Sequence, residues 1–96
     1  MQRYVITLEA SRDLQEIVDY FLERNVDAGE KFVEEFNRKC ERLLQFPQIG
    51  KSYEDIRPGL RGILVVGYVL LYKLVGEEIV IVRVVSGYRN LEKIFE

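Results

Sequence analysis

Histidine and tryptophan are missing from the 96 residues, and there is one cysteine, one methionine and two prolines. Without histidine the chain lacks the commonest general base at neutral pH and the commonest metal ligand. The single Cys40 excludes an internal disulfide and any cysteine-rich metal site. No apolar run approaches the roughly 20 residues needed to span a bilayer. The first eight residues have neither the long apolar core nor the small-residue cleavage site of a signal peptide. There is no P-loop, glycine-rich dinucleotide fingerprint, zinc spacing or Ser-His-Asp set. The expectation is a cytoplasmic, soluble single domain spanning 1–96, with no metal and no cofactor.

What is present is organised around the stretch from Leu60 to Asn90, which is dense in Val, Ile, Leu and Tyr. These residues fit a pleated, half-buried surface better than a helix. Gly76-Glu77-Glu78 breaks the stretch as a hairpin turn would, and Gly67-Tyr68 marks a second point of reversal. Three antiparallel strands are predicted, roughly 61–67, 68–75 and 79–86. Upstream, Tyr4–Leu8 alternates as a short first strand. A helix follows with Ser11 as its expected N-cap and Leu14, Ile17, Val18 and Phe21 on one apolar stripe. Asn25 ends it. A second helix is expected to be capped by Asp27, with Glu30 three residues on. It carries Phe32, Phe36, Cys40, Leu43 and Leu44 inward until Pro47 stops it. Residues 47–60 form the one long connection, and Ile94 and Phe95 can anchor a short C-terminal turn. The layout is β-α-α-β-β-β: an α+β, two-layer domain with a helical hairpin packed on an antiparallel sheet.

The net charge of −2 is unevenly spread. Residues 1–46 carry seven Lys/Arg against ten Asp/Glu, whereas residues 57–93 carry six against three. A basic sheet end on an acidic helical body suggests one anion-facing surface, with solvated charges as the alternative. The helix carboxylates (Asp13, Glu16, Asp19, Glu23, Glu30, Glu34, Glu35) read as solvated faces rather than an acid/base pair. Cys40 reads as a small buried hydrophobe. Tyr68 and Tyr72 share a face of one strand and read as packing residues with a wet hydroxyl, not as a stacking platform for bases.

Three arginines stand out. Period-2 alternation places Arg83 among Ile79, Ile81 and Val85, so a charge enters an apolar row and calls for a carboxylate or an anionic partner. Arg61 opens a strand after Pro58-Gly59. Arg89 follows Ser86-Gly87-Tyr88 just past the last strand, where loops commonly carry function. Arg61, Arg83 and Arg89 are therefore the candidate target-binding residues. An ion-paired Arg83 beside two exposed arginines is the alternative.

The order of these residues resembles the ParE branch of the RelE/ParE toxin superfamily. The match runs through Ala10-x2-Asp13-Leu14-x2-Ile17-x2-Tyr20, Ala28-x3-Phe32, Leu43-x3-Pro47-x2-Gly50 and Pro58-Gly59-Leu60-Arg61. It continues through Tyr68-x3-Tyr72, Ile79-x-Ile81-x-Arg83-Val84 and Gly87-x-Arg89-Asn90-Leu91. The resemblance implies a toxin of a type II toxin–antitoxin system, also called a plasmid stabilisation protein. It implies a cognate antitoxin, typically of ribbon-helix-helix type, and DNA gyrase as the target of a toxin that binds rather than catalyses. The superfamily's other activity is ribosome-dependent cleavage of mRNA, in which Arg61 and Arg89 would stabilise the scissile phosphate. This sequence departs from the ribonuclease pattern, with Val69 where an arginine is frequent, Ser86 where a histidine is frequent and Phe95 where a tyrosine is frequent. The apolar Gly62–Val66 also replaces a lysine-rich strand. Cleavage by 2′-OH attack needs proton transfer as well as charge stabilisation, and an arginine supplies only the second. A sequence pI near 5.3 also suits ribosomal RNA poorly. Gyrase inhibition leads; mRNA cleavage and a degenerate homologue that only binds its antitoxin stay open.

Overall fold

A computed structural model describes residues 3–95. In chain order the elements are β1 (Arg3–Ile6), α1 (Leu8–Arg24), α2 (Val26–Gln45), β2 (Lys51–Ser52), β3 (Arg61–Val65), β4 (Tyr68–Val75), β5 (Glu78–Ser86) and α3 (Leu91–Ile94). The sheet order is β1-β5-β4-β3-β2. The expected α+β architecture and helical hairpin are present, with two additions. β1 runs parallel to β5, from Arg3 opposite Glu78 to Ile6 opposite Ile81, so the sheet is mixed. The long connection contains the two-residue β2, which pairs antiparallel with the start of β3. No helix among the described residues is long and apolar enough to cross a membrane.

The two helices start earlier than their sequence signals suggest. Ser11 lies inside α1; the N-cap is Thr7, whose hydroxyl accepts from Ala10 N at 3.1 Å. Asp27 lies in the first turn of α2, and Asn25 is the cap instead, accepting from Ala28 N at 3.1 Å. Asn25 also closes α1, donating its backbone N–H to Phe21 O. One asparagine thus satisfies groups at both helix ends, which lets the hairpin turn without a loop of its own.

The helical stripe and one sheet face meet in the main core. Ala10, Ile17, Phe32, Phe36, Cys40 and Leu43 pack against Val65, Leu70, Tyr72, Ile79, Ile81 and Val84. The other sheet face is covered too. Leu60, Val69, Leu71 and Val85 lie under Tyr53, Ile56, Leu91, Ile94 and Phe95. Each fully buried side chain of this size stabilises the fold by roughly 1.5–3 kcal/mol relative to exposure. Arg57 fastens the C-terminal cover by donating to Phe95 O, and its guanidinium lies 5.6 Å from the Phe95 ring.

A β-bulge interrupts β5. Leu71 faces Arg83 but Tyr72 faces Ile81, so β5 has one residue more than β4 at this point. The strict alternation expected of β5 therefore fails: Ile79, Ile81 and Val84 face the helices, while Val82 and Val85 belong to the opposite side. Arg83 does not share a row with Val85.

The β3–β4 turn consists of Val66 and Gly67, with φ of 47° and 83°. Two-residue hairpins favour positive φ at both positions, but a β-branched residue resists it. Val66→Asn is expected to raise stability by about 1 kcal/mol, read as a higher urea midpoint at unchanged slope. A lower midpoint would show that Val66 makes a contact worth more than its strain.

Candidate functional site

The three candidate arginines occupy three different environments. Arg61 begins β3 opposite Ser52 and Tyr72. Its guanidinium turns inward along the chain, donating to Gln48 O at 3.1 Å and Gly50 O at 2.9 Å. Tyr72, fully buried, completes this arrangement: its hydroxyl donates to Pro47 O at 2.8 Å and accepts from Gly50 N at 3.0 Å. The hydroxyl is satisfied by backbone and not by water, contrary to the wet hydroxyl expected from the sequence. Burial pushes the Tyr72 phenol up, opposed by the Gly50 N–H and by the Arg61 charge. Gly50 is required here because a Cβ would stand 2.6 Å from the Tyr72 hydroxyl oxygen. Arg61 and Tyr72 together fix the segment 47–50, which holds Phe46 and Ile49 exposed on its flanks.

Arg83 is half-buried and ion-paired. Its Nε donates to Asp13 Oδ2 at 2.7 Å and its Nη2 to Asp13 Oδ1 at 3.0 Å, a bidentate fork. Asp13 Oδ2 also accepts from Val84 N at 2.9 Å. The hydrogen bond to Asp13 raises the Arg83 pKa, with burial opposing. This is the ion-paired alternative left open by the sequence.

Arg89 differs from both. It lies in the turn after β5, held by Arg89 N to Ser86 O at 3.1 Å, Tyr88 N to Ser86 Oγ at 3.3 Å and Gly87 N to Gly67 O at 2.9 Å. Asn90 then caps α3 by accepting from Glu92 N. The Arg89 side chain is exposed and has no hydrogen bond or ion pair among the described residues. Beside it Tyr88 is 98% exposed. The sheet does not gather the arginines into one cluster. Arg61 and Arg83 are engaged within the fold, and Arg89 has no side-chain partner among the described residues.

Tyr88 was not singled out from the sequence, although its place between Gly87 and Arg89 in a turn was a signal. Tyr68 makes edge-on contacts with Phe32 and Phe21, at 5.4 Å and 6.5 Å between ring centroids, so it belongs to the core. Of the helix carboxylates Asp13 hydrogen-bonds to the sheet, and the charges of Glu9 and Glu16 also act on Arg83; Asp19 accepts from Gln15, and Glu35 pairs with Arg38. Among the described residues no group of three or more His, Cys, Asp or Glu side chains could hold a metal ion. Cys40 is fully buried, and burial first and the Glu41 charge second raise its thiol from 9.0 to about 12. A thiol so far from ionisation is no nucleophile at neutral pH.

Comparison with known proteins places this geometry in a family. The sequence model of the ParE toxin of type II toxin–antitoxin systems, parDE, matches residues 4–91. The chain is 35% identical over 92 residues to Toxin ParE3 of Caulobacter vibrioides, covering 95% of this chain and 92% of that protein. It is 33% identical over 93 residues to Toxin ParE1 of Mycobacterium tuberculosis, covering 95% of each. A solved structure described as the chromosomal ParDE TA system from P. aeruginosa superposes with a TM-score of 0.73 at 22% identity. It covers 90% of this chain and 95% of that one, and at this identity shows a shared fold.

Two expectations separate scaffold from surface. Asp13→Ala should cost about 2 kcal/mol in urea unfolding, since it strands the Arg83 guanidinium and the Val84 N–H together. Arg89→Ala should stay within about 0.5 kcal/mol of the parent protein. Equal effects would contradict the division drawn above. A further expectation concerns alkali. Below pH 9 the Cys40 thiol is protonated in both states and contributes no pH dependence. Between pH 9 and about 12 the unfolded thiol ionises while the folded one does not, so stability falls as pH rises. The Tyr4 and Tyr72 phenols, raised in the same sense, add to the fall at higher pH. Cys40→Val should flatten the onset just above pH 9; an unchanged pH profile would locate the loss elsewhere.

Proposed function

This chain belongs to the ParE toxin family of type II toxin–antitoxin systems, and from that membership we propose that it acts by inhibiting DNA gyrase. It is the toxin component, with an antitoxin as its partner. The observation that carries this reading is the family match over residues 4–91. In the proposed mechanism the toxin is a binding protein: it engages gyrase and lets cleaved DNA accumulate, without itself making or breaking a bond. Arg89, whose guanidinium is free among the described residues, contacts the target, with the exposed Tyr88 beside it. Arg61 and Arg83 hold the sheet, through Gln48 O, Gly50 O and Asp13, and are not themselves contacts. The antitoxin is of ribbon-helix-helix type, with a tail that folds on the toxin and covers the toxic surface.

The choice of gyrase over RNA is supported by the employment of the arginines. Phosphate contacts need free cations, and two of the three candidates have theirs committed to carbonyls or a carboxylate. One observation favours the second reading, mRNA cleavage on the ribosome. Tyr88 and Arg89 are consecutive and both exposed, so one turn offers solvent a phenol and a guanidinium, a proton donor and a charge stabiliser.

The deciding experiment is a gyrase assay on the purified protein that scores supercoiling and linear cleaved DNA. Linear DNA is expected to rise with protein concentration. Arg89→Ala should require about tenfold more protein for the same cleavage, at an unchanged melting temperature. No effect on gyrase, with an active control toxin alongside, would sink the proposal. The same stock in a translation extract would then show cut mRNA if the second reading holds. Absence of both activities, with the antitoxin still bound tightly, would identify a degenerate homologue.

A further inference from the structure

The sheet face turned away from the helices is not covered to its edge. Leu64, Val69 and Val85 stand opposite one another on β3, β4 and β5, so they form one row across the sheet. Val69 and Val85 are buried beneath Tyr53, Ile56 and the C-terminal turn, whereas Leu64 is 65% exposed. β2 stops short of it, pairing only with Arg61 and Gly62. The uncovered end is a pocket of about 270 Å³ among Lys51, Tyr53, Leu64 and Val69.

Its walls are fixed by the fold. A Cβ at Gly62 would stand 2.7 Å from Tyr53 Cε2 and 3.0 Å from Val69 Cγ1, so glycine admits the tyrosine ring onto the sheet. Tyr53 is held by its backbone, donating to Leu60 O at 2.8 Å and accepting from Ile56 N and Arg57 N. The Lys51 ammonium lies 5.3 Å from the centre of the Tyr53 ring, within cation–π range. Walls already in place lower the ordering cost of binding. The Val69 wall also borders the turn that carries Arg89: a Cβ at Gly87 would be 3.9 Å from Val69 Cγ2.

Charge and shape select the occupant. Among the described residues that line the pocket Lys51 is the one charged group, and no Asp or Glu is there. Glu54, close by in the chain, accepts from Gly59 N instead. Lys51 and, on the bordering turn, Arg89 are both exposed. A second copy docked here across a two-fold axis would oppose lysine to lysine. A nucleic-acid strand calls for a track of cations and free aromatic faces, but here the lining is largely aliphatic and the Tyr53 ring already faces Lys51. An acidic protein segment fits both the charge and the apolar lining. From β2 to β5 is three strand spacings, about 14 Å, which an extended chain covers in about four residues.

We propose that the Lys51–Leu64–Val69 pocket seats one aliphatic side chain of an extended, acidic segment of a partner protein, with Lys51 and Arg89 taking carboxylates to either side of it. The apolar contact supplies affinity, and the two cations supply selectivity and direction. The inference goes beyond the gyrase reading and does not depend on it.

The test uses the intact, isotope-labelled protein and two extended peptides of about seven residues. Each has a central leucine, flanked at alternate positions by glutamates in one and by lysines in the other. The acidic peptide should move the amides of Lys51, Leu64, Val69 and the turn around Arg89, and bind about tenfold tighter than the basic one at low salt. Lys51→Glu replaces one of the two cations by an anion and should bring the peptides to equal affinity at an unchanged melting temperature. Leu64→Ser, at a position already exposed, should weaken both about tenfold. Shifts only outside the pocket, equal affinities in the parent protein, or a preference unchanged by Lys51→Glu would each overturn the proposal. So would an oligothymidylate that moves the same amides and binds tighter than the acidic peptide, which would make the occupant a nucleic acid. A concentration-dependent dimer that Leu64→Ser dissolves would overturn it too, since the occupant would then be a second copy.

Discussion

The structure depends on how the edge of β5 is closed. β5 has nine residues, but β1 pairs with it only from Glu78 to Ile81. Beyond that point an edge strand would present bare backbone groups to solvent or to another chain. The chain closes the edge with one backbone and two side-chain hydrogen bonds as α1 begins. Thr7 N donates to Ile81 O, the Thr7 hydroxyl to Val82 O, and Asp13 accepts from Val84 N. The same Thr7 hydroxyl caps α1. The end of β1, the first turn of α1, the β5 bulge and the Arg83–Asp13 fork are therefore one arrangement. It fixes the helical layer over the sheet and spends Arg83 in the process.

That arrangement explains which parts of the fold were legible in the sequence. Leu14, Ile17, Phe21, Phe32, Phe36, Cys40 and Leu43 were readable because helical periodicity reports a core face directly. The reversals at Gly67 and Gly76 were readable because positive φ favours glycine. The bulge was not, because one inserted residue leaves composition unchanged while reversing every side chain beyond it. The parallel pairing of β1 was hidden for a different reason: its partner lies some 75 residues away, and no local signal reports strand direction. The caps were missed because Ser11 and Asp27 are good capping residues in good positions. Thr7 and Asn25 prevail because each satisfies a second element at the same time.

For the site, sequence alone could identify arginines but not their employment. An arginine in an apolar row can pair with a carboxylate, fasten backbone or face a partner, and only tertiary contacts decide. Arg61 fastens 47–50 from a neighbouring strand, and Arg83 meets a carboxylate seventy positions earlier. Neither partner is adjacent in sequence, so neither was predictable from spacing. The exposure of Arg89 was legible because its position in a Ser-Gly-Tyr turn is itself local information. The basic surplus counted over residues 57–93 therefore overstates the free positive surface, since Arg57, Arg61 and Arg83 are all engaged within the fold.

The proposed contact turn, Tyr88–Arg89, combines exposed side chains with a hydrogen-bonded backbone. A long side chain on a loose loop loses conformational entropy on binding, which subtracts from affinity. Here the turn is tied to a second turn through Gly87 N and Gly67 O, and a Cβ at position 87 would come within 3.2 Å of that oxygen. The second turn is the one in which Val66 adopts positive φ. The strain at Val66 and the anchoring of Gly87 thus act on the same carbonyl. Backbone strain persists where surrounding contacts over-determine it, and it gathers at positions that fix functional groups. Gly67 O lies between β3 and β4, and through it the Gly87 end of the turn is anchored to the hydrogen-bonded sheet, while Arg89 N to Ser86 O closes the turn itself.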